Sequence, residues 1–312
     1  MFSRILVPTD FSAPSDAALA YARGLAGTFD ATLHLLHVVD NEFLRPVVAD
    51  PYAIEAAALR TLHDRLTDED HRRFRVQPAV ERADAPADEI VSYARTHDIG
   101  LIVMGTHGRS GMAHLLVGSV AEKVVRTASC PVLTLHTAPA VSKGANAGMV
   151  RILIPTDFSA PSDAALGCAR ILGERFGASL HLFHVLEDPV VSGAFGSELF
   201  VTDSPDGRTA RLKDAQVRLA RQLTADGRAG LVATTGVIFG GTARTIVDYA
   251  ADNTFDLIVM GTHGRTGIAH LVMGSVAETV VRSALCPVLT VREAREPVRE
   301  PVVDTRAVRA TA

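Results

Sequence analysis

PTDFSAPSDAAL runs from Pro8 to Leu19, and the same twelve residues return from Pro155 to Leu166. Two later stretches repeat as well. MGTHGRSG at Met104–Gly111 answers MGTHGRTG at Met260–Gly267, and CPVLT spans both Cys130–Thr134 and Cys286–Thr290. The first pair is offset by 147 residues and the later pairs by 156, so the second copy carries nine more residues between its second and fourth strands. A period this long marks a duplicated domain, since solenoid repeats run at about 20–50 residues. The expected division is a first domain over 1–137, a small, Gly-rich linker over 138–149, a second domain over 150–292, and a charged, Pro-punctuated tail over 293–312.

Working outward from the repeat, apolar runs alternate with helical patterns. Strand-like runs fall at Ile5–Val7, Thr32–Val39, Phe74–Val80, Leu101–Met104 and Val132–Leu135. Between them, Pro14–Leu25, Ile54–Leu66, Pro86–Thr96 and Val120–Thr127 place apolar residues at three- and four-residue spacing. The second copy follows with strands at Ile152–Ile154, Ser179–Leu186, Leu231–Ile238, Leu257–Met260 and Val288–Val291. Strands that alternate with helices imply right-handed crossovers and a parallel sheet. Leu101-Ile102-Val103-Met104 is apolar throughout, as a strand covered on both faces requires. The fold class is therefore α/β: two Rossmann-like domains, each a five-stranded parallel sheet with helices on both faces.

Composition narrows the partners. With 47% hydrophobic and 21% charged residues over 312, the chain has material for two cores and is not disordered. A formal net charge of −4, no Trp and four Tyr argue against nucleic acid, which asks for a basic face and stacking aromatics. No run reaches the roughly 20 apolar residues of a membrane span. The N-terminus passes straight into a strand without a signal-like segment, and three cysteines are an odd number for a disulfide framework. A cytoplasmic location with reduced thiols is expected. Cys130 and Cys286 occupy equivalent positions and read as small core residues.

In an open parallel sheet, ligands bind beyond the carboxyl ends of the strands, where the strand order reverses. Two segments of each copy emerge there. Pro8-Thr9-Asp10 follows the first strand, with Ser12 as a helix N-cap and Pro14 in the first turn. Asp10 reads either as a carboxylate lining the crevice, able to accept from ribose hydroxyls or an amino group, or as a second cap or turn residue. After the fourth strand comes Gly105-Thr106-His107-Gly108-Arg109-Ser110-Gly111, and then Gly118-Ser119 opens a helix. Glycines let backbone approach a ligand, and a helix N-terminus favours phosphate. Glycines alone would equally make a tight turn. The second copy repeats the set at Pro155, Thr156, Asp157, Gly261, Gly264, Gly274 and Ser275.

The spacing Gly105-x2-Gly108-x9-Gly118-Ser119 resembles the ATP-binding signature of the universal stress protein family. The strand-end Val-Pro-Thr-Asp-Phe-Ser and the terminal Cys-Pro-Val-Leu are similar to that family too, over Ser3–His136 and Arg151–Arg292. The resemblance implies strand order 3-2-1-4-5, pairing of the domains through their last strands, and an adenine nucleotide across the ends of strands 1 and 4. The implied ligand is ATP, or ADP or AMP, with Mg2+ as a candidate companion. By the same resemblance Asp10 and Asp157 face the nucleoside, and Val38 and Val185 offer backbone to adenine. Gly105, Thr106, Gly108, Gly118, Ser119 and Val120, with Gly261, Thr262, Gly264, Gly274, Ser275 and Val276, hold ribose and phosphates.

Arg109 and Arg265 stand in the loops as phosphate partners or as exposed side chains, with His107 and His263 as weaker ligand contacts. His34-x2-His37 and His181-x2-His184 do not suggest a metal site, because an i, i+3 pair on a strand points to opposite faces. No metal ligand set is expected. His114 and His270 read as packed at a loop edge. No Gly-x4-Gly-Lys-Ser/Thr loop and no Gly-x-Ser-x-Gly elbow occurs, so rapid phosphoryl transfer is not expected. The function expected is nucleotide-dependent sensing or regulation of stress. The alternatives are a slow ATPase or autophosphorylating enzyme, or a scaffold for another small molecule such as a cyclic nucleotide or a lipid. The halves should pack as an intramolecular pseudo-dimer, with a homodimer beyond it. The longer segment around 187–206, with Phe195, Leu199 and Phe200 among its glycines, reads as a cover over the second site or as an inert insertion.

Overall fold

The computed structural model describes residues 2–40, 51–106, 118–135, 149–187, 190–192, 198–200, 204–224, 231–262 and 273–292. In the first half the order is β1 (Arg4–Pro8), α1 (Ala13–Phe29), β2 (Thr32–Asp40), α2 (Pro51–Arg65), α3 (Asp68–Arg73), β3 (Val76–Ala83), α4 (Pro86–Thr96), β4 (Leu101–Gly105), α5 (Ser119–Thr127) and β5 (Val132–Leu135). The second half runs β6 (Arg151–Pro155), α6 (Ala160–Phe176), β7 (Ser179–Leu186), a hairpin of β8 (Val190–Ser192) and β9 (Glu198–Phe200), then α7 (Pro205–Thr224). It closes with β10 (Ala233–Phe239), α8 (Thr242–Asp252), β11 (Leu257–Gly261), α9 (Ser275–Ser283) and β12 (Val288–Val291).

Ten strands form one sheet in the order β10-β7-β6-β11-β12-β5-β4-β1-β2-β3, so each half has the order 3-2-1-4-5. Every pairing is parallel except the central one, where β12 meets β5 antiparallel with Leu289 opposite Leu133. That join is reciprocal: the Thr134 hydroxyl donates to the Val288 carbonyl at 3.2 Å and the Thr290 hydroxyl to the Val132 carbonyl at 3.1 Å. Phe29 of α1 and Phe176 of α6 meet edge to face at 6.0 Å beside the seam.

Side chains alternate across the pleat, and both faces are dry. Ile5, Val7, Leu33, Leu35, Leu101 and Val103 face α1 and join Ile152, Ile154, Leu289 and Val291 in one core. Leu6, Leu36, Ile102 and Met104 face the other way, with Ile90 of α4, Val124 of α5, and Phe183 and Ile258 of the second half. Each core layer thus runs through both halves. Cys168 is buried, and burial pushes its thiol up to about 12; the half-buried Cys130 and Cys286 rise to about 11 for the same reason.

The structure adjusts several expected boundaries. The third strands start later, at Val76 and Ala233, because Leu33 and Leu180 pair with those residues. The short α3 was not anticipated. Its N-cap Thr67 and Asp70 form a reciprocal capping box, and Arg23 bonds both carboxylate oxygens of Asp70 at 2.8 Å. The extra length of the second copy falls between its second and third strands, where the hairpin and the longer α7 lie. The side chains of that hairpin and the residues flanking it, including Phe195, lie outside the described residues, as do the linker and the tail.

Candidate functional site

Strand order reverses between β1 and β4, and between β6 and β11, and the loop after the first strand of each half is built identically there. Thr9 is buried; its hydroxyl accepts from the Phe11 N–H and meets Ser15 Oγ, both at 3.0 Å. The Asp10 carboxylate accepts from the N–H of Ser12 at 3.1 Å and from its hydroxyl at 2.5 Å. Ser12 is therefore the N-cap by position but makes no side-chain cap bond; its hydroxyl is turned towards Asp10 instead. The second copy repeats this at Thr156, Ser162, Asp157 and Ser159. The turn reading of Asp10 is seen in these bonds, and its counterpart Asp157 lines the cavity described below.

This turn places Phe11 at φ 65° and Phe158 at φ 64°, a left-handed backbone that costs a non-glycine residue energy. Side chains hold it in place. Phe11 stacks on His37 at 4.3 Å with Arg65 over its ring at 4.9 Å, and Arg65 Nη2 bonds the Phe11 carbonyl at 3.1 Å. Phe158 sits between His184 at 4.6 Å and Arg218 at 3.8 Å. His37 Nδ1 donates to the Thr9 carbonyl at 2.8 Å, and His184 Nδ1 to the Thr156 carbonyl at 2.7 Å. A carbonyl only accepts, so each ring carries its proton on Nδ1.

The glycine at the end of the fourth strand has a packing role. A Cβ on Gly105 would lie 2.8 Å from Pro14 Cβ and 2.9 Å from its carbonyl oxygen; on Gly261 it would meet Pro161 at 2.8 Å. These residues let β4 and β11 pass against the first turn of α1 and α6. Gly118 differs from the expectation in another way. Its N–H is taken by the Thr106 carbonyl at 2.6 Å, and that of Gly274 by Thr262 at 2.9 Å, pinching the two ends of each loop together. The next three N–H groups are those of Ser119, Val120 and Ala121, or of Ser275, Val276 and Ala277. They lie in a first turn whose cap has no side-chain bond and have no carbonyl partner within the helix.

In the second half these parts enclose a cavity of about 430 Å³. Of the residues singled out from sequence, Pro155, Thr156, Asp157, Val185, Gly261, Thr262, Gly274, Ser275 and Val276 all line it. Pro8, Thr9, Asp10, Val38, Gly105, Thr106, Gly118, Ser119 and Val120 take the equivalent places in the first half. His107, Gly108, Arg109, His263, Gly264 and Arg265 lie outside the described residues, with His114 and His270. Sequence reasoning missed Ser162, His184, Glu187, Arg211 and Thr242, which line the cavity from four different segments. Among the described residues no cluster of three or more His, Cys, Asp or Glu forms a metal site, and no helix is long and apolar enough to cross a membrane.

A pair of doubly wound α/β domains with a cavity at the strand switch point defines the class of protein. The particular family follows from comparison. The chain belongs to the universal stress protein family, whose model matches residues 1–136 and 149–292. A universal stress protein of Mycolicibacterium smegmatis is 27% identical over 311 residues, covering 92% of this chain and 96% of that one. One from Mycobacterium tuberculosis is 28% identical over 200 residues, 64% of this chain and 63% of the relative's length. The crystal structure of a universal stress protein from Archaeoglobus fulgidus, 20% identical, covers 93% of this chain and 98% of its own at a TM-score of 0.67, which speaks for the fold.

Proposed function

We propose that each half binds an adenine nucleotide, ATP or its relatives ADP and AMP, and that occupancy makes the chain a ligand-dependent regulator in the stress response. The observation that carries this is the meeting, in one cavity at the switch point, of a strand-end carboxylate and three first-turn N–H groups that no carbonyl of their own helix takes. The helix end favours phosphate, and the carboxylate suits a ribose hydroxyl. The space, about 430 Å³, falls within the usual range of small-molecule sites, roughly 300–1,000 Å³. A companion Mg2+ would be carried by the nucleotide's phosphates. The domain limits 1–137 and 150–292, the reading of the two halves as a pseudo-dimer, a homodimer beyond it, and a cytoplasmic location belong to the same proposal.

Calorimetry on ligand-stripped protein tests it, with ATP, ADP, AMP and cyclic AMP as titrants and mass spectrometry of whatever the purified protein releases. Two adenine-nucleotide sites per chain are expected. At ~100 times the dissociation constant each independent site adds about 2.7 kcal/mol of stability. Heats of mixing alone for all four titrants would overturn the proposal.

A further inference from the structure

The two halves differ at one end of the crevice. In the second half the cavity extends from the first turn of α9, beside β11, to the end of β7 and the start of α8. Only β6 separates β7 from β11, so at ~4.8 Å per strand those ends lie about 10 Å apart. Three residues from three elements converge at the β7 end: Glu187 after the strand, Arg211 on α7, and Thr242 opening α8. Arg211 Nη2 donates to the Glu187 carbonyl at 2.7 Å, and the Thr242 hydroxyl donates to the Glu187 carboxylate. The guanidinium groups of Arg208 and Arg211 lie over the Phe239 ring, 4.0 and 5.4 Å from its centroid.

Among the described residues the first half has no such arrangement. Helices α2 and α7 are in register through the fully buried Leu62 and Leu219, and through Arg23 and Arg170, which bond the carbonyls of Arg65 and Gln222 at 2.8 Å. In that register Arg211 takes the place of Ile54. Thr242 and Pro86 both open their helices, and Phe239 takes the place of Arg82. Only the acid is kept, as Asp40 against Glu187.

An end that carries a carboxylate disfavours phosphate, so the phosphates lie at α9 and the base at Glu187, an orientation that rests on the nucleotide reading above. We propose that the second crevice accepts guanine as well as adenine nucleotides, whereas the first is restricted to adenine. Guanine presents the acceptors O6 and N7 beside its N1–H and N2–H donors. A guanidinium is the commonest partner of O6 and N7, and a carboxylate accepts from the N–H groups. Adenine also fits the second site, giving its amino protons to Glu187. Among the described residues the first site keeps a carboxylate but has Ile54 and Pro86 in the places of Arg211 and Thr242, and its nearby Arg82 is paired with Glu55 of α2 at 3.3 Å, so guanine O6 loses its donor.

Titration of the ligand-stripped full chain with ATP and with GTP tests this, on the parent, Gly118→Val, Gly274→Val and the double exchange Arg211→Ile with Thr242→Pro, which installs the first-half residues. The expected result is two ATP sites and one GTP site per chain. The GTP site persists in Gly118→Val, disappears in Gly274→Val, and weakens at least tenfold, about 1.4 kcal/mol, in the double exchange, which still binds two ATP. GTP at both sites or at neither, with ATP at two, overturns the inference alone. GTP affinity unchanged in the double exchange does the same. Loss of every nucleotide from the parent protein overturns the underlying reading as well.

Discussion

Replacing His34 with glutamine should flatten the dependence of stability on pH between neutrality and pH 4. His34 lies on β2 with only 2% of its surface exposed, its Nδ1 at 3.1 Å from the Tyr93 hydroxyl and its Nε2 without a hydrogen-bond partner. Burial, then the nearby His97 and Arg4, lower its pKa from the usual 6.5 to about 4. Arg4 also faces this corner, bonded to the His97 carbonyl at 2.9 Å and paired with Asp98 at 3.1 Å. A histidine with a depressed folded pKa is held neutral by the fold and protonates more readily in the unfolded chain. Its contribution is therefore complete above pH 6.5 and is lost as pH falls from there towards 4. At 1.36 kcal/mol per unit, acidification to pH 5 removes about 2 kcal/mol, and to pH 4 about 3 kcal/mol. The first figure corresponds to roughly 4–8 °C in melting temperature for domains of this size. Urea unfolding at pH 7 and pH 5, parent against His34→Gln, reads the difference directly. His181→Gln serves as the comparison. His181 occupies the equivalent place but is half-buried and bonds through both ring nitrogens, to Thr234 at 2.7 Å and Tyr249 at 3.1 Å, so its effect should be smaller. Parallel pH profiles for the parent and His34→Gln would refute the assignment.

Three further outcomes are expected. Gly261→Ala should cost about 1–3 kcal/mol in ligand-free protein, because its Cβ presses into the Pro161 backbone. Gly274→Val, at an N-cap with φ −64°, should leave ligand-free stability nearly unchanged and abolish nucleotide binding to that half. Thermal melts without and with ATP check both, and an unchanged melt for Gly261→Ala would contradict the packing role. Asp70→Ala should destabilise by about 3 kcal/mol, because it strips the buried partner from Arg23 and removes the capping box. Although burial alone would raise the Asp70 pKa, the Arg23 and Thr67 hydrogen bonds outweigh it and hold it low. Its contribution is present above the ordinary carboxylate pKa and is lost only as pH falls through the depressed one. Denaturant midpoints at pH 7 and pH 3 that move equally in the parent and the variant would contradict this.

The local chain carried its own instructions for much of this fold. The duplicated PTDFSAPSDAAL and the apolar runs at Leu101–Met104 and Leu257–Met260 are short-range patterns. Strand, turn and helix start follow from them because pleat and helical periodicity are properties of neighbouring residues. The opposite facing of His34 and His37 was legible for the same reason: one bonds Tyr93 of α4, the other the Thr9 carbonyl at the crevice. Tertiary structure decided what depends on residues far apart in the chain. For Gly105 the sequence offered a ligand-facing reason, and the fold adds a packing one: the atoms that exclude a side chain belong to Pro14, 91 positions away. The Gly118 N–H looked free, and the far end of its own loop takes it at Thr106. Glu187, Arg211 and Thr242 have no shared motif. They become neighbours only because parallel strands β7 and β10 lie side by side in the sheet, ending on the same edge, with α7 packed against both. Sequence patterns record how a segment folds locally; the contents of a crevice are set by which segment ends the sheet brings to one edge.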